Sequence, residues 1–170
     1  MNSENLIETT RFYVEQKMAG DGSGHDWWHI YRVWSISKKL AQEEGADQTT
    51  TELAALLHDI ADWKFNDGDE TAGPKKAADW LSKNNADIKL IEQVCEIIST
   101  LSYKGAGVAT PMKTIEGQVV QDADRLDAIG ALGIARTFAY GGNKNRIIYH
   151  PDEPPVMHES FEHYKSNKGH

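Results

Sequence analysis

The spacing of the apolar residues constrains the fold of this chain more than any other feature. They recur every three or four positions instead of alternating, which is the pattern of amphipathic helices and not of strands. The clearest stripe, on one face of a single helix, consists of Ile91, Val94, Cys95, Ile98 and Leu101. By the same criterion, residues 115–140 form one long helix or two abutting ones. With no internal repeat and no convincing hairpin, the sequence predicts an all-α, multi-helix bundle.

Residues with strong capping preferences mark the ends of the predicted helices. Asp26 and Asp87 each precede a helical stripe, where an aspartate accepts hydrogen bonds from the first free backbone amides. Gly45 follows another stripe, as is typical of a left-handed helix end. Thr49 and Glu52 have the spacing of a capping box, so we expect the third helix to open there.

Length and charge limit the classes of protein to which the chain can belong. Its 170 residues suffice for one domain with its own core. Eighteen Lys and Arg against 26 Asp and Glu give a net charge of -8, which argues against nucleic-acid polymers and anionic membranes as partners. We find no secretory signal and no membrane span. The single cysteine suits a reducing cytoplasm. We expect a cytoplasmic protein with a small-molecule partner; a homo-oligomer is compatible with the sequence, which leaves oligomeric state open.

The charge and proline content divide the chain into a body and a tail. Residues 141–170 carry four basic and four acidic side chains, so the whole net charge lies in residues 1–140. The tail also holds three of the five prolines and four of the seven histidines. This composition is typical of loops. We predict a compact domain over 1–140 and a loop-rich segment over 141–170.

Three short segments, 24–33, 56–62 and 121–127, place imidazoles or carboxylates among apolar residues. Charged groups at such positions are costly unless they are paired or bind a metal. A mixed nitrogen and oxygen ligand set for a divalent transition metal would consist of His29, His58, Asp59 and Asp124. Asp62 lies on the same helical face as His58 and could reach a water on that ion. The alternatives are a His-Asp pair that only caps a helix, and a solvated acidic face in the third segment.

His25 and His29 stand four residues apart with an acid between them, a pattern that resembles the H-E-x-x-H motif of metalloproteases. We do not favour a protease, because Asp26 is shorter than Glu and is better explained as a helix cap. His25 is a candidate for substrate contact near the metal. A hydrogen bond at the start of the helix is the alternative role.

The three segments together resemble the HD-domain metal-dependent phosphohydrolase superfamily. The resembling elements occur in the order that is typical of it: His29-Ile-Tyr-Arg32-Val33, then His58-Asp59, then Ala123-Asp124-Arg125-Leu126. The flanking residues are similar to those of the bacterial YpgQ/YedJ-like subgroup. The resemblance covers roughly residues 5–145. Relatives in this subgroup usually continue into a further helical segment, so the tail is either naturally compact or a truncated view of a longer chain.

The resemblance implies a role for each matching residue. His29, His58, Asp59 and Asp124 match the four metal ligands, so Asp59 belongs to the catalytic centre. Asp62 matches the acidic residue that assists attack by water. Substrate phosphates would be held by candidates at or near these motifs, namely Arg32, Arg125, Lys64, Lys104 and His25. Arg32 could equally pair with a core carboxylate.

The resemblance also implies an activity. The subgroup is associated with hydrolysis of nucleoside triphosphates, including deoxynucleotides, to monophosphate and pyrophosphate by attack of a water on the metal. One divalent ion is expected, with Mn²⁺ favoured over Mg²⁺, Co²⁺, Ni²⁺, Fe²⁺ or Zn²⁺. One alternative is a nucleotidase that acts on monophosphates. Another is a non-catalytic helical module that binds a nucleotide or a protein and uses the metal structurally.

Overall fold

The chain folds into α-helices, and the predicted all-α class is confirmed. A computed structural model describes residues 2–61, 68–105, 107–154 and 157–166. These ranges contain no strand. Their helices are α1 Ser3–Lys17, α2 Trp27–Glu44, α3 Gln48–Leu57, α4 Ala72–Lys83, α5 Ile88–Leu101, α6 Ile115–Asp127, α7 Gly130–Asn143 and α8 Phe161–Ser166. The stretch 115–140 is thus two abutting helices and not one.

The predicted caps of α2 and α5 are confirmed. The side chain of Asp26 accepts a hydrogen bond from the backbone amide of His29 at 2.9 Å, and Asp87 accepts one from the amide of Lys89 at 2.9 Å. Gly45 ends α2 in the left-handed conformation, with φ +70°. A side chain is strained at this φ, which explains the glycine.

The predicted start of α3 was wrong. The helix begins at Gln48, and Asp47 is its cap, since the Asp47 side chain accepts a hydrogen bond from the amide of Thr50 at 2.8 Å. Glu52 does not reach back to the helix start as a capping box requires. Its carboxylate is buried and accepts a hydrogen bond from Trp34 Nε1 at 2.8 Å. The indole donor of a buried tryptophan needs a partner, and α3 supplies it.

The core is centred on α3, which packs against α1, α2, α5 and α6. Every residue from Thr50 to Leu57 is buried. The facing helices contribute Ile30 and Val33 of α2 and Val120 of α6, all fully buried. This packing fixes the chain immediately after Leu57, where the second histidine segment begins. None of the described helices is both long and apolar enough to span a bilayer.

The tail folds back onto the loop that follows α5. The amide of Gly107 donates a hydrogen bond to the carbonyl of His158 at 3.2 Å. The rings of Tyr103 and Tyr164 meet edge to face, with their centroids 5.7 Å apart. Between α7 and α8 the described residues form loops, as the composition predicted.

Candidate metal centre

The predicted metal ligands come from three helices that meet at one end of the core. His29 lies in the first turn of α2, where the Asp26 cap holds its backbone. His58 and Asp59 directly follow the buried leucines of α3. Asp124 lies in the second half of α6. The fold thus brings together four side chains that are far apart in the sequence.

The donor atoms of these four residues lie close together. The Nε2 atoms of His29 and His58 face each other at 3.2 Å. Asp59 Oδ2 lies 3.3 Å from the first of these nitrogens and 3.5 Å from the second. Asp124 Oδ1 lies 3.5 Å and 3.8 Å from the same two atoms. Metal–ligand bonds of about 2.0–2.2 Å give separations of this size between ligands. His29, His58 and Asp59 form a group that can hold a metal ion, and Asp124 stands beside it.

The outer nitrogens of the two imidazoles show where their protons lie. His58 Nδ1 is 2.8 Å from the carbonyl oxygen of Ala55, which can only accept, so this nitrogen donates. His29 Nδ1 is 2.8 Å from Asp127 Oδ2 and donates to that carboxylate. In the neutral rings both Nε2 atoms therefore turn their lone pairs toward each other and toward two carboxylates. This arrangement is repulsive unless a proton or a metal cation lies between the donors, and the donor types fit a divalent ion.

The electrostatics of the protein groups indicate the same need for positive charge. Burial lowers the pKa of His29, but hydrogen bonds to Asp127 and Asp59 outweigh this effect and raise the pKa to about 9. Burial raises the pKa of Asp59, but the charge of His58 and the hydrogen bond with His29 hold it well below its usual range. The raised pKa of His29 and the lowered pKa of Asp59 both favour a positive charge next to the carboxylates.

Asp127, at the end of α6, holds the His29 ring from the side away from the other ligands. Its carboxylate is buried and also accepts hydrogen bonds from Arg32 Nε at 2.5 Å and Nη2 at 3.0 Å. Burial raises the pKa of Asp127, whereas the hydrogen bonds from His29 and Arg32 lower it well below its usual range. A carboxylate that accepts the second imidazole proton fixes the tautomer and orientation of a metal-binding histidine.

Arg136 of α7 links Asp127 to the loop before α2. Its Nη1 lies 3.2 Å from Asp127 Oδ2, and its Nε donates to the carbonyl of Gly24 at 2.7 Å. Gly24 has φ +89°, and a Cβ there would lie 3.2 Å from the carbonyl oxygen of Arg136. The loop and the helix can approach this closely because residue 24 is glycine.

A cavity of about 420 Å³ borders the metal-binding group. Volumes of this size are usual for small-molecule sites. His58, Asp59 and Asp124 line it. Its further polar and aromatic lining comes from the loop before α2, the end of α5, α7 and the tail, and includes His25, Tyr103, Arg136, Tyr140, Arg146 and Tyr164. The cavity therefore places cationic and aromatic groups around the candidate ligands.

A second cavity, of about 620 Å³, shares Tyr103, Asp124 and Ala128 with the first. The rest of its lining is mainly apolar and comes from residues 105 and 108–111. Arg125 also lines this cavity, and its guanidinium hydrogen-bonds the hydroxyl of Thr110. The two cavities thus border the same carboxylate.

The structure separates the predicted phosphate-binding residues from one another. Arg32 is engaged by Asp127, the core-carboxylate partner that the sequence left open. Arg125 lines the second cavity and His25 the first. The Lys104 ammonium lies 5.2 Å from the ring centroid of Phe161 and lines neither of these two cavities.

Two predicted residues, the water-activating Asp62 and the phosphate-binding Lys64, lie outside the described residues. Their placement is therefore not part of the site described above. They stay predictions from the sequence.

Three residues of this region, Asp127, Arg136 and Arg146, were not among the site residues predicted from the sequence. Asp127 carried a signal, because it shares a helical face with Asp124 in an otherwise apolar stretch. Arg136 stands alone among apolar and small residues, which is a weaker sequence signal than that of Asp127. Arg146 carried none, because it lies in the tail, away from every motif.

A family model described as HD domain matches residues 27–129. That range contains His29, His58, Asp59 and Asp124 and covers more than half of the chain. The chain belongs to the HD domain family. The superfamily recognised from the three sequence segments is therefore confirmed.

This HD domain is similar to YpgQ of Bacillus subtilis, with 38% identity over 157 residues, which is 89% of this chain and 74% of YpgQ. A crystal structure of YpgQ in complex with ADP has a TM-score of 0.71 at 35% identity and covers 89% of this chain and 73% of that one. A crystal structure of a Lactobacillus plantarum protein has a TM-score of 0.84 at 36% identity, over 99% of this chain and 77% of that one. An HD-superfamily hydrolase of Bacillus thuringiensis has a TM-score of 0.67 at 44% identity, over 91% and 74%. The fold is that of an HD-superfamily hydrolase.

Proposed function

We propose that this HD domain is a metal-dependent nucleotide pyrophosphohydrolase. Its substrates would be nucleoside or deoxynucleoside triphosphates, and its products a monophosphate and pyrophosphate. The observation that carries this proposal is the convergence of His29, His58, Asp59 and Asp124 at the edge of a 420 Å³ cavity that also holds arginine side chains.

The donor set supports a single divalent ion. Two imidazole nitrogens and two carboxylate oxygens suit Mn²⁺, Fe²⁺, Co²⁺, Ni²⁺ or Zn²⁺, and we favour Mn²⁺ because the subgroup that the chain resembles uses it. When bound, such an ion lowers the pKa of water and polarises a phosphoryl oxygen. Asp127 and the Ala55 carbonyl keep the protons of His29 and His58 on Nδ1, so that both Nε2 atoms stay available as ligands.

The remaining roles concern substrate and water. We assign Asp62 the orientation and deprotonation of the attacking water, because it matches the acidic residue with this role in the family that the chain resembles. His25 borders the same cavity as His58, Asp59 and Asp124, and it would contact a phosphate oxygen. Arg125 would contact the substrate from the second cavity, whose apolar lining suits a nucleobase.

A nucleotide as substrate is supported by the comparison with YpgQ, whose structure was obtained in complex with ADP. The volume of the first cavity suits a molecule of this size. We place the protein in the cytoplasm, which suits a chain whose one cysteine, Cys95, is a free thiol.

The test is a screen of nucleotides with Mn²⁺, in which phosphorus NMR identifies the products. We expect pyrophosphate and a nucleoside monophosphate from at least one triphosphate. Release of orthophosphate from monophosphates would replace the proposal by a nucleotidase. An absence of turnover on every nucleotide, with an ion bound, would favour a binding module with a structural metal.

A further inference from the structure

Arg146 differs from the other arginines near the candidate metal centre in how its charge is balanced. Arg32 and Arg136 share the carboxylate of Asp127. Arg146 forms no ion pair with the described residues, although it lines the cavity. Its Nε is shielded from solvent and has no hydrogen-bond acceptor among them. A charged donor that is shielded from solvent needs an acceptor, which a ligand or a water in the cavity can supply.

The backbone holds Arg146 in a defined turn. Its amide donates a hydrogen bond to the carbonyl of Gly141 at 2.8 Å, and the amide of Asn145 donates one to the carbonyl of Gly142 at 3.1 Å. With Asn145 at φ +55°, these bonds form a Schellman motif at the end of α7. The guanidinium carbon then lies 5.4 Å from the ring centroid of Tyr140. The side chain is therefore oriented by the helix end and supported by an aromatic ring.

We propose that Arg146 binds the terminal diphosphate of the substrate. This inference rests on the proposed function and adds a residue that was not foreseen from the sequence. The same cavity borders His58, Asp59 and Asp124 as well as Arg146. An ion on these ligands would hold the phosphate that is attacked, and an extended polyphosphate in the cavity would present its remaining phosphates to the arginine. A guanidinium donates two parallel hydrogen bonds to phosphate, which suits this role.

The assignment predicts a preference that depends on phosphate number. A ligand with two linked phosphates can contact both the ion and Arg146, whereas a single phosphate is satisfied by the ion. Arg146 would therefore distinguish triphosphates from monophosphates, and its loss would weaken binding of the first class while sparing the second.

The experiment is calorimetric titration of the Mn²⁺-loaded protein with inorganic pyrophosphate and, separately, with orthophosphate. For Arg146→Ala we expect the Kd of pyrophosphate to rise by about 10- to 100-fold, because a bidentate charged contact is lost. The Kd of orthophosphate should change by less than about threefold. Arg146→Gln, which keeps most of the side-chain volume, should behave like the alanine variant.

Lys144→Ala is the matched control. Lys144 stands two residues before Arg146, carries the same charge and does not line the cavity. This substitution should change the Kd of pyrophosphate by less than about threefold. An equal effect of the Lys144 and Arg146 substitutions would overturn the assignment, since general electrostatics would then explain both. An equal loss of orthophosphate and pyrophosphate binding, or loss of the Mn²⁺ ion from the variant, would also overturn it.

The result separates this inference from the proposed function. Pyrophosphate binding that depends on Arg146, in a protein that turns over no nucleotide, would support the phosphate site and contradict the enzyme. Turnover of triphosphates with unchanged pyrophosphate binding in Arg146→Ala would support the enzyme and contradict the phosphate site.

Discussion

Helix α7 and the residues that directly follow α3 line the same cavity, but the two helices are attached to the protein in different ways. Eight of the ten residues of α3 are buried, and it leads directly into His58 and Asp59. Of the 14 residues of α7, Gly133 is the buried one. The large apolar side chains that α7 leaves exposed are Leu132, Ile134 and Phe138, at 51%, 61% and 49% exposure.

Polar contacts take the place of apolar packing on α7. Arg136 connects it to Asp127 and to the carbonyl of Gly24, and the Schellman turn at its end orients Arg146. The candidate ligands are therefore positioned by the core, whereas the cationic side of the cavity is positioned by a few hydrogen bonds. Changes on the two sides should therefore have separable effects on metal binding, stability and phosphate affinity.

The largest effect is expected from loss of a candidate ligand that directly follows α3. His58→Ala should abolish stoichiometric metal binding and lower nucleotide turnover by about 10³-fold or more, because the ion supplies several kcal/mol of transition-state stabilisation. Metal content by mass spectrometry and turnover by phosphorus NMR measure these effects. Asp122→Ala is the control, since Asp122 is an exposed acid on α6 near the ligands. A His58 variant with a full complement of metal would show that the ligand set is misassigned.

Stability should separate the two helices next. Leu56→Ala in α3 removes a fully buried side chain and should lower the free energy of unfolding by about 2–5 kcal/mol. Ile134→Ala in α7 truncates an exposed side chain and should change it by less than about 0.5 kcal/mol. Urea denaturation measures both. Equal losses would mean that the exposed face of α7 is covered in solution.

Asp127 joins the two regions, so its substitution should affect both. Asp127→Asn keeps the shape of the side chain but removes the charge that His29, Arg32 and Arg136 share. We expect metal affinity to fall by about 10- to 100-fold. Asp122→Asn makes the same charge change at an exposed position of α6 and should leave the affinity unchanged. Equal affinities for the two variants in a calorimetric Mn²⁺ titration would remove Asp127 from the positioning of His29.

The smallest effect is expected from removal of the ion. At a Mn²⁺ concentration of about ten times Kd, binding contributes about 1.4 kcal/mol of stability. A chelator should therefore lower Tm by roughly 3–6 °C. Arg146→Ala should show the same shift, whereas His58→Ala should show none. A chelator shift that survives in His58→Ala would place the ion elsewhere.

The helical fold could be predicted from the sequence because it depends on local patterns, whereas a joint site of the four candidate ligands was proposed from their residue types and implied by the resemblance to the HD superfamily. The apolar stripes specify which helix faces meet, and the caps at Asp26 and Asp87 form bonds within a few residues. The ligand side chains stand in short motifs among buried residues. In the structure, the packing of those buried residues brings the motifs close together.

What the sequence did not predict depends on long-range pairing. Glu52 has the spacing of a capping box, but Trp34 from another helix takes its carboxylate. Arg32 follows His29 by three residues, yet Asp127 fixes its position. Arg146 lines the cavity because of the turn that ends α7, and no sequence motif predicted this turn.

The most direct test of the account is the Mn²⁺ stoichiometry of three proteins, measured by equilibrium titration with electron paramagnetic resonance detection of free ion. We predict one tightly bound ion per chain in the wild type and in Arg146→Ala, and none in Asp124→Ala. One tightly bound ion in Asp124→Ala would contradict the assignment of Asp124 as a ligand. Loss of the ion in Arg146→Ala would contradict the assignment of Arg146 to the phosphates and not to the ion.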